Sequence, residues 1–170
     1  MTTPRLTAHD IFIEGWGRLG PSWGISKMMA EIYAALYVSP SPLTHEDMSE
    51  KLATSRSNIS TNVRMLVDLG VVHKVIVRGE RKDYYSAEDD VTKVAKLLAL
   101  AKKRKELDPA MDIIDKAIGA ADESETATIH KLEELKRHMD FVNAIFHAFV
   151  GGEADPRTLA NVIRVKERLP

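Results

Sequence analysis

The stretch TSRSNISTNVRMLVDLGVVHKVIVRGERKDYY, residues 54–85, decides how the rest of the chain is read. Thr54 and Ser55 carry hydroxyls that can accept hydrogen bonds from the free N–H groups at a helix start. Ile59, Val63 and Leu66 then recur at helical spacing, and Gly70 stands where helices commonly close. Past Gly70 the period changes. VVHKVIV is β-branched and extended, RGER turns about Gly79, and KDYYSA can return as a second strand, one tyrosine facing in and the other out. Upstream, Thr44 and Asp47 have the spacing of a capping box for a short helix, about Glu46 to Leu52. Two helices joined by so tight a turn form a helix-turn-helix, and a hairpin directly behind the second is a wing.

Working outward, HDIFIEGWGRLG places Phe12, Trp16 and Leu19 at helical spacing, and Gly20-Pro21 punctuates the end. A second helix is expected from about Ser22 to Val38, burying Ile25, Met28, Ile32 and Leu36, until SPSP stops it. Beyond AEDD, residues Val91, Val94, Leu98 and Ala101 form a helical stripe that runs into KKRKE. Asp108-Pro109 either restarts a helix, as cap and first position, or kinks a long one. Met111, Ile114 and Ile118 continue the stripe. Leu132, Leu135, Met139, Val142, Phe146 and Phe149 are spaced 3, 4, 3, 4, 3, a heptad seam for packing along another helix. GGEADP ends it, and Asp155 caps a last helix from Pro156 to about Arg168.

The expected fold is mainly α. A winged helix-turn-helix DNA-binding domain spans 22–90, an N-terminal helix over 1–21 packs or dimerises, and 91–170 supplies long helical dimerisation segments. Composition agrees: 44% apolar residues suffice for a core, while 6% aromatic with few Gly and Pro favours helices over a β-sandwich. Cysteine is absent, which excludes disulfides, thiolate metal sites and thiol nucleophiles and suits a reducing cytoplasm. No apolar run is long enough to cross a bilayer, and the N-terminus lacks a basic segment followed by an apolar one. A soluble, cytoplasmic protein with no membrane partner is expected.

The net charge of −1 says nothing about nucleic acid, but its distribution does. From Thr54 to Lys82 six cations face only Asp68 and Glu80, a local excess of +4. Salt screens charge beyond ~8–10 Å, so such a patch acts on a polyanion whatever the total. With the apolar stripe turned inward, the candidate groove-facing residues are Ser55, Arg56, Ser57, Asn58, Ser60, Thr61 and Arg64. Short hydroxyl and amide groups permit close approach to the major groove, and Arg bonds guanine bidentately. The plain alternative is a solvated helix face, yet such faces usually carry Glu, Lys and Gln, and no acid lies between Arg56 and Arg64. On the wing, Arg78, Arg81 and Lys82 flank Gly79, placed for phosphates or the minor groove.

Catalytic chemistry has no comparable constellation. None of the six histidines stands in an HExxH arrangement, and neither a P-loop nor a dinucleotide fingerprint occurs, so no metal, cofactor or enzymatic activity is expected. Trp16, Trp23, Tyr33 and Tyr37 could form a cage for a quaternary ammonium effector if they converge. Core packing or dimer contacts are the favoured reading of the same rings.

SRSNISTNVRMLVDLGVVHKVIVRGERKDYYSAEDD, with the preceding LTHEDMSEKLATS, resembles the winged-helix region of MarR-type regulators, and within them the GbsR-like branch. The features shared are a recognition helix of short residues, then G-V-V, then a wing ending R-K-x-Y-Y. The likeness covers roughly Leu6 to Asp90. It implies a homodimeric transcriptional regulator, a repressor more often than not, that binds a pseudo-palindromic operator in double-stranded DNA. The alternative is a winged-helix protein–protein module, kept open by the acidic stretches HEDMSE and AEDD.

Overall fold

Hydroxyl caps set most of the helix starts. In the computed structural model, which describes residues 6–122 and 124–151, Thr7 begins α1 (Ala8–Leu19) with a capping box shared with Asp10. The buried side of α1 is Ile13 and Gly17, flanked by Phe12 and Trp16; Leu19, expected on that side, is exposed. Gly20–Trp23 forms one 3₁₀ turn that closes on a left-handed Gly24, φ +83°. The second helix, expected from about Ser22, therefore starts later: Ser26 caps α2 (Lys27–Tyr37), and Ile25 packs from outside it. Gly20 permits the close approach of α1 and α2, since a Cβ there would lie 2.7 Å from the Ala30 methyl.

A strand of two residues, β1 (Leu43–Thr44), precedes α3 (His45–Lys51) and has no counterpart in the sequence reading. Thr44 is doubly used. It pairs with Tyr84 in the sheet, and its hydroxyl accepts the Asp47 N–H at 3.2 Å while the Asp47 carboxylate accepts the Thr44 N–H at 2.8 Å. The Thr44 N–H and then the Thr44 hydroxyl, both donating to the carboxylate, hold the Asp47 carboxyl below its usual range. After a turn with Ala53 at φ +47°, Ser55 caps α4 (Arg56–Asp68) by accepting the Asn58 N–H at 3.2 Å. Gly70, φ +77°, closes α4 as expected.

Strands β2 (Val72–Val75) and β3 (Tyr84–Ala87) form the wing, and the antiparallel sheet has the order β1-β3-β2. Tyr85 is buried and Tyr84 half-buried, the alternation expected of the strand. VVHKVIV pairs only as far as Val75; Ile76 is 94% exposed. Ile32, Met48, Ile59, Leu66, Val63, Val71 and Val72 are the fully buried centre, so α2, the helix-turn-helix and the wing base share one core. The Tyr33 hydroxyl donates to the Glu88 carbonyl at 3.0 Å and ties α2 to the end of the wing; burial first, then Tyr37, pushes its pKa up to about 12.

The Glu88 carboxylate gathers three donors where β3 meets α5 (Val91–Lys102): Lys93, the Asp90 N–H at 3.2 Å and the His73 ring at 3.1 Å. Lys93 contributes most to pushing its pKa down from 4.5 to about 2. A carboxyl whose folded pKa lies below its unfolded value adds stability in full above about 4.5 and loses it as pH falls toward about 2. Denaturant titrations of Glu88→Gln should therefore show a deficit against wild type near neutral pH that closes across this acid window.

The chain divides into two compact units, Met1–Leu98 and Ala99–Pro170. In the second, the end of α5 passes into a π-helical stretch, Lys103–Leu107, and then α6 (Asp108–Ala120). Asp108 has helical backbone and pairs with Lys103, so it does not cap a new helix; the interrupted long helix is what forms. Pro109 has no N–H for the preceding turn, and a widened turn is where a helix absorbs that loss. α7 (Thr126–Gly151) packs on α6, with Lys136 paired to Asp115. Of the heptad seam, Leu132, Met139 and Phe146 are partly covered, whereas Leu135, Val142 and Phe149 are exposed. The helix expected from Pro156 to Arg168 lies outside the described residues.

Candidate nucleic-acid interface

The helical period sorts α4 into two faces. Ile59, Val63 and Leu66 are buried, as expected, while Arg56, Ser57, Asn58, Thr61 and Arg64 are exposed and Ser60 is half-buried. Ser55, exposed in sequence position before them, spends its hydroxyl oxygen on the cap. Thr61 donates its hydroxyl proton to the Ser57 carbonyl at 3.1 Å, which leaves its methyl group and an acceptor oxygen for the outside. At the start of the wing tip, Gly79 adopts φ +90°, a conformation that costs an L-residue strain, and the Glu80 N–H closes the turn on the Val77 carbonyl.

Glu46 joins the helix to the wing. One carboxylate oxygen lies 2.9 Å from Arg56 Nη1 and the other 3.7 Å from Lys82 Nζ. Two of the expected DNA-contacting cations are thus tied to an acid of the stretch HEDMSE. Lys74 pairs with Asp83 at 2.8 Å. Among the described residues, Arg64, Arg78 and Arg81 have no ion-pair partner. His45, beside Tyr85, has its pKa lowered by burial first and by Arg56 second, which disfavours a further positive charge here.

Exposed pairs such as Glu46–Arg56 are worth only about 0–1 kcal/mol of stability. Their effect on a polyanion is larger, because each cation freed for a phosphate adds about 0.9 to the salt slope. Glu46→Gln should consequently bind random duplex more tightly and with a slope steeper by about one to two. Salt titration of fluorescence anisotropy reads both quantities.

Asn62, behind the outer face of α4, is a residue that the sequence did not single out. It is 9% exposed, and its amide links Ser26, the cap of α2, to Asn58 on the outer face of α4. A signal was present: Ile59, Asn62, Val63 and Leu66 fall at i, i+3, i+4 and i+7, so a polar residue occupies the apolar stripe.

The four rings named for an effector cage come together in two pairs. Trp16 and Trp23 meet edge to face at 4.6 Å, Tyr33 and Tyr37 stack at 5.8 Å, and Phe12 contacts both Trp16 and Tyr37. Each ring is in contact with another ring. Among the described residues no three His, Asp or Glu side chains gather to hold a metal ion, and no helix is long and apolar enough to cross a membrane.

No protein-family model matches the chain. YvaV of Bacillus subtilis (strain 168), which carries the name of an HTH-type transcriptional regulator, is 27% identical over 150 residues, covering 80% of this chain and 82% of that protein. The HTH-type transcriptional repressor GbsR of the same organism is 34% identical over 86 residues, covering 51% of this chain and 47% of GbsR. A solved crystal structure described as that of a transcriptional regulator superposes with a TM-score of 0.63 over 85% of this chain and 97% of the other. Its 20% identity makes that a likeness of fold. Sequence and fold together give this chain its kinship: it is similar to HTH-type transcriptional regulators, GbsR among them, and its fold is that of a winged helix-turn-helix regulator.

Proposed function

We propose that the protein is a sequence-specific DNA-binding regulator of the MarR type and GbsR-like branch, acting as a homodimer and repressing by occluding a promoter. The observation that carries this reading is the outer face of α4, where Arg56, Ser57, Asn58, Thr61 and Arg64 are exposed together with no acid of α4 among them, and where Glu46 links Arg56 to Lys82 of the wing. The repressor name of GbsR supports the sign of regulation. Dimerisation is supported by α7, where Leu135, Val142, Ile145 and Phe149 expose an apolar line along one helix. Two copies would set their recognition helices in successive major grooves, ~34 Å apart. Selection of bound sequences from random duplexes is the test, and a two-fold related site is the expected product. Indifference to random duplex and heparin alike, with no loss between about 50 and 200 mM salt, would instead favour the protein–protein module.

A further inference from the structure

The Asn58 amide stands on the face proposed for DNA, and its orientation is set from inside the protein. Asn62 Nδ2 lies 2.8 Å from the backbone carbonyl of Asn58, an atom that can only accept. That contact identifies the nitrogen of the Asn62 amide, so its oxygen must be the atom that accepts from the Ser26 hydroxyl at 3.2 Å. The same Nδ2 also reaches the Asn58 side chain at 2.9 Å, so the atom it meets there is Oδ1. Asn58 Nδ2 therefore points the other way and donates to Thr54 Oγ1 at 3.0 Å. Every amide in the relay has one permitted orientation. A surface asparagine of a recognition helix ordinarily turns freely; this one is held at both ends.

With those bonds made, Asn58 keeps one N–H and one carbonyl lone pair for a partner. Adenine offers the complement in the major groove, the N7 acceptor beside the N6 amino donor, whereas guanine sets a second acceptor, O6, where the donor is needed. An unrestrained amide could turn its N–H toward guanine; the relay prevents that. We propose that Asn62 is a positioning residue for sequence readout, fixing the Asn58 amide so that α4 selects adenine at one position of each half-site. This rests on the DNA-binding reading above.

The test is selection from random duplexes with the purified full-length protein and three variants, alongside affinity for unselected duplex. Wild type should select an adenine that Asn58→Ala loses. Asn62→Ala should lower the adenine-to-guanine ratio at that same position about tenfold, within the range of one bidentate base contact, while leaving affinity for unselected duplex within about twofold. Ser26→Ala, at the exposed far end of the relay, should lose part of the same preference and serves should Asn62→Ala fail to fold. An adenine preference unchanged in Ser26→Ala and in any folded Asn62 variant would overturn the proposal alone. A wild type that selects nothing would overturn the DNA-binding reading, and this one with it.

Discussion

Leu66→Ala is expected to lower the unfolding free energy by about 2–5 kcal/mol, the range for truncating a buried leucine without collapse of the cavity. Leu66 is fully buried at the end of the inward stripe of α4, among Ile32, Met48, Ile59, Val63, Val71 and Val72. Its neighbours leave little room to relax. On one side is α2, buried on most of its surface, and on the other the chain reverses through left-handed Gly70, with the Val71 N–H bonded to the Leu66 carbonyl at 3.1 Å. Met65, one residue earlier and half exposed, is the control: Met65→Ala should change stability by no more than about 0.5 kcal/mol. Equilibrium urea denaturation reads both, and an unchanged slope would confirm that the native core is what was weakened. A Leu66→Ala loss below about 1 kcal/mol would contradict the shared core of helix-turn-helix, α2 and wing base.

The combined replacement of Arg56 and Arg64 by alanine should abolish footprinting on the upstream DNA. Each arginine that reads a base contributes about 1–3 kcal/mol, roughly five- to 150-fold in affinity. The two should not behave alike. Arg64 has no ion-pair partner among the described residues, so its loss removes only what it gives to DNA. Arg56 is already ion-paired with Glu46, and its removal also leaves that carboxylate facing phosphates. Arg56→Ala should accordingly weaken specific and random duplex together, whereas Arg64→Ala should act mainly on the specific site. An intact footprint in the double variant would mean that α4 is not the reading helix.

What could be read ahead of the structure was local. The Thr44–Asp47 box, the inward stripe of α4, the Gly70 stop and the turn at Gly79 each depend on residues within a few positions of one another, and each formed as expected. The failures share a cause. β1 is two residues long and exists only because β3, some forty residues on, returns beside it. The late start of α2 follows from a left-handed Gly24 that periodicity does not register. Glu46 pairs with cations ten and thirty-six residues away, contacts that no spacing within its own helix states. On α7 the heptad showed that a seam exists; which half of it α6 covers is a matter of how two helices lie, and no spacing states that.

Thr44 has a last implication, for motion. Because one residue is both the end of a strand and the cap of α3, the wing and the first helix of the motif share a rivet. A hairpin that swings from its base must break the pairing at the residue that caps that helix, so the two should breathe together in hydrogen exchange. The pivot then lies outboard of the Val75–Tyr84 pair, in the residues around Gly79. On the DNA-binding reading proposed above, a short, tethered arm of this kind can follow the local width of a groove while α4 keeps its register.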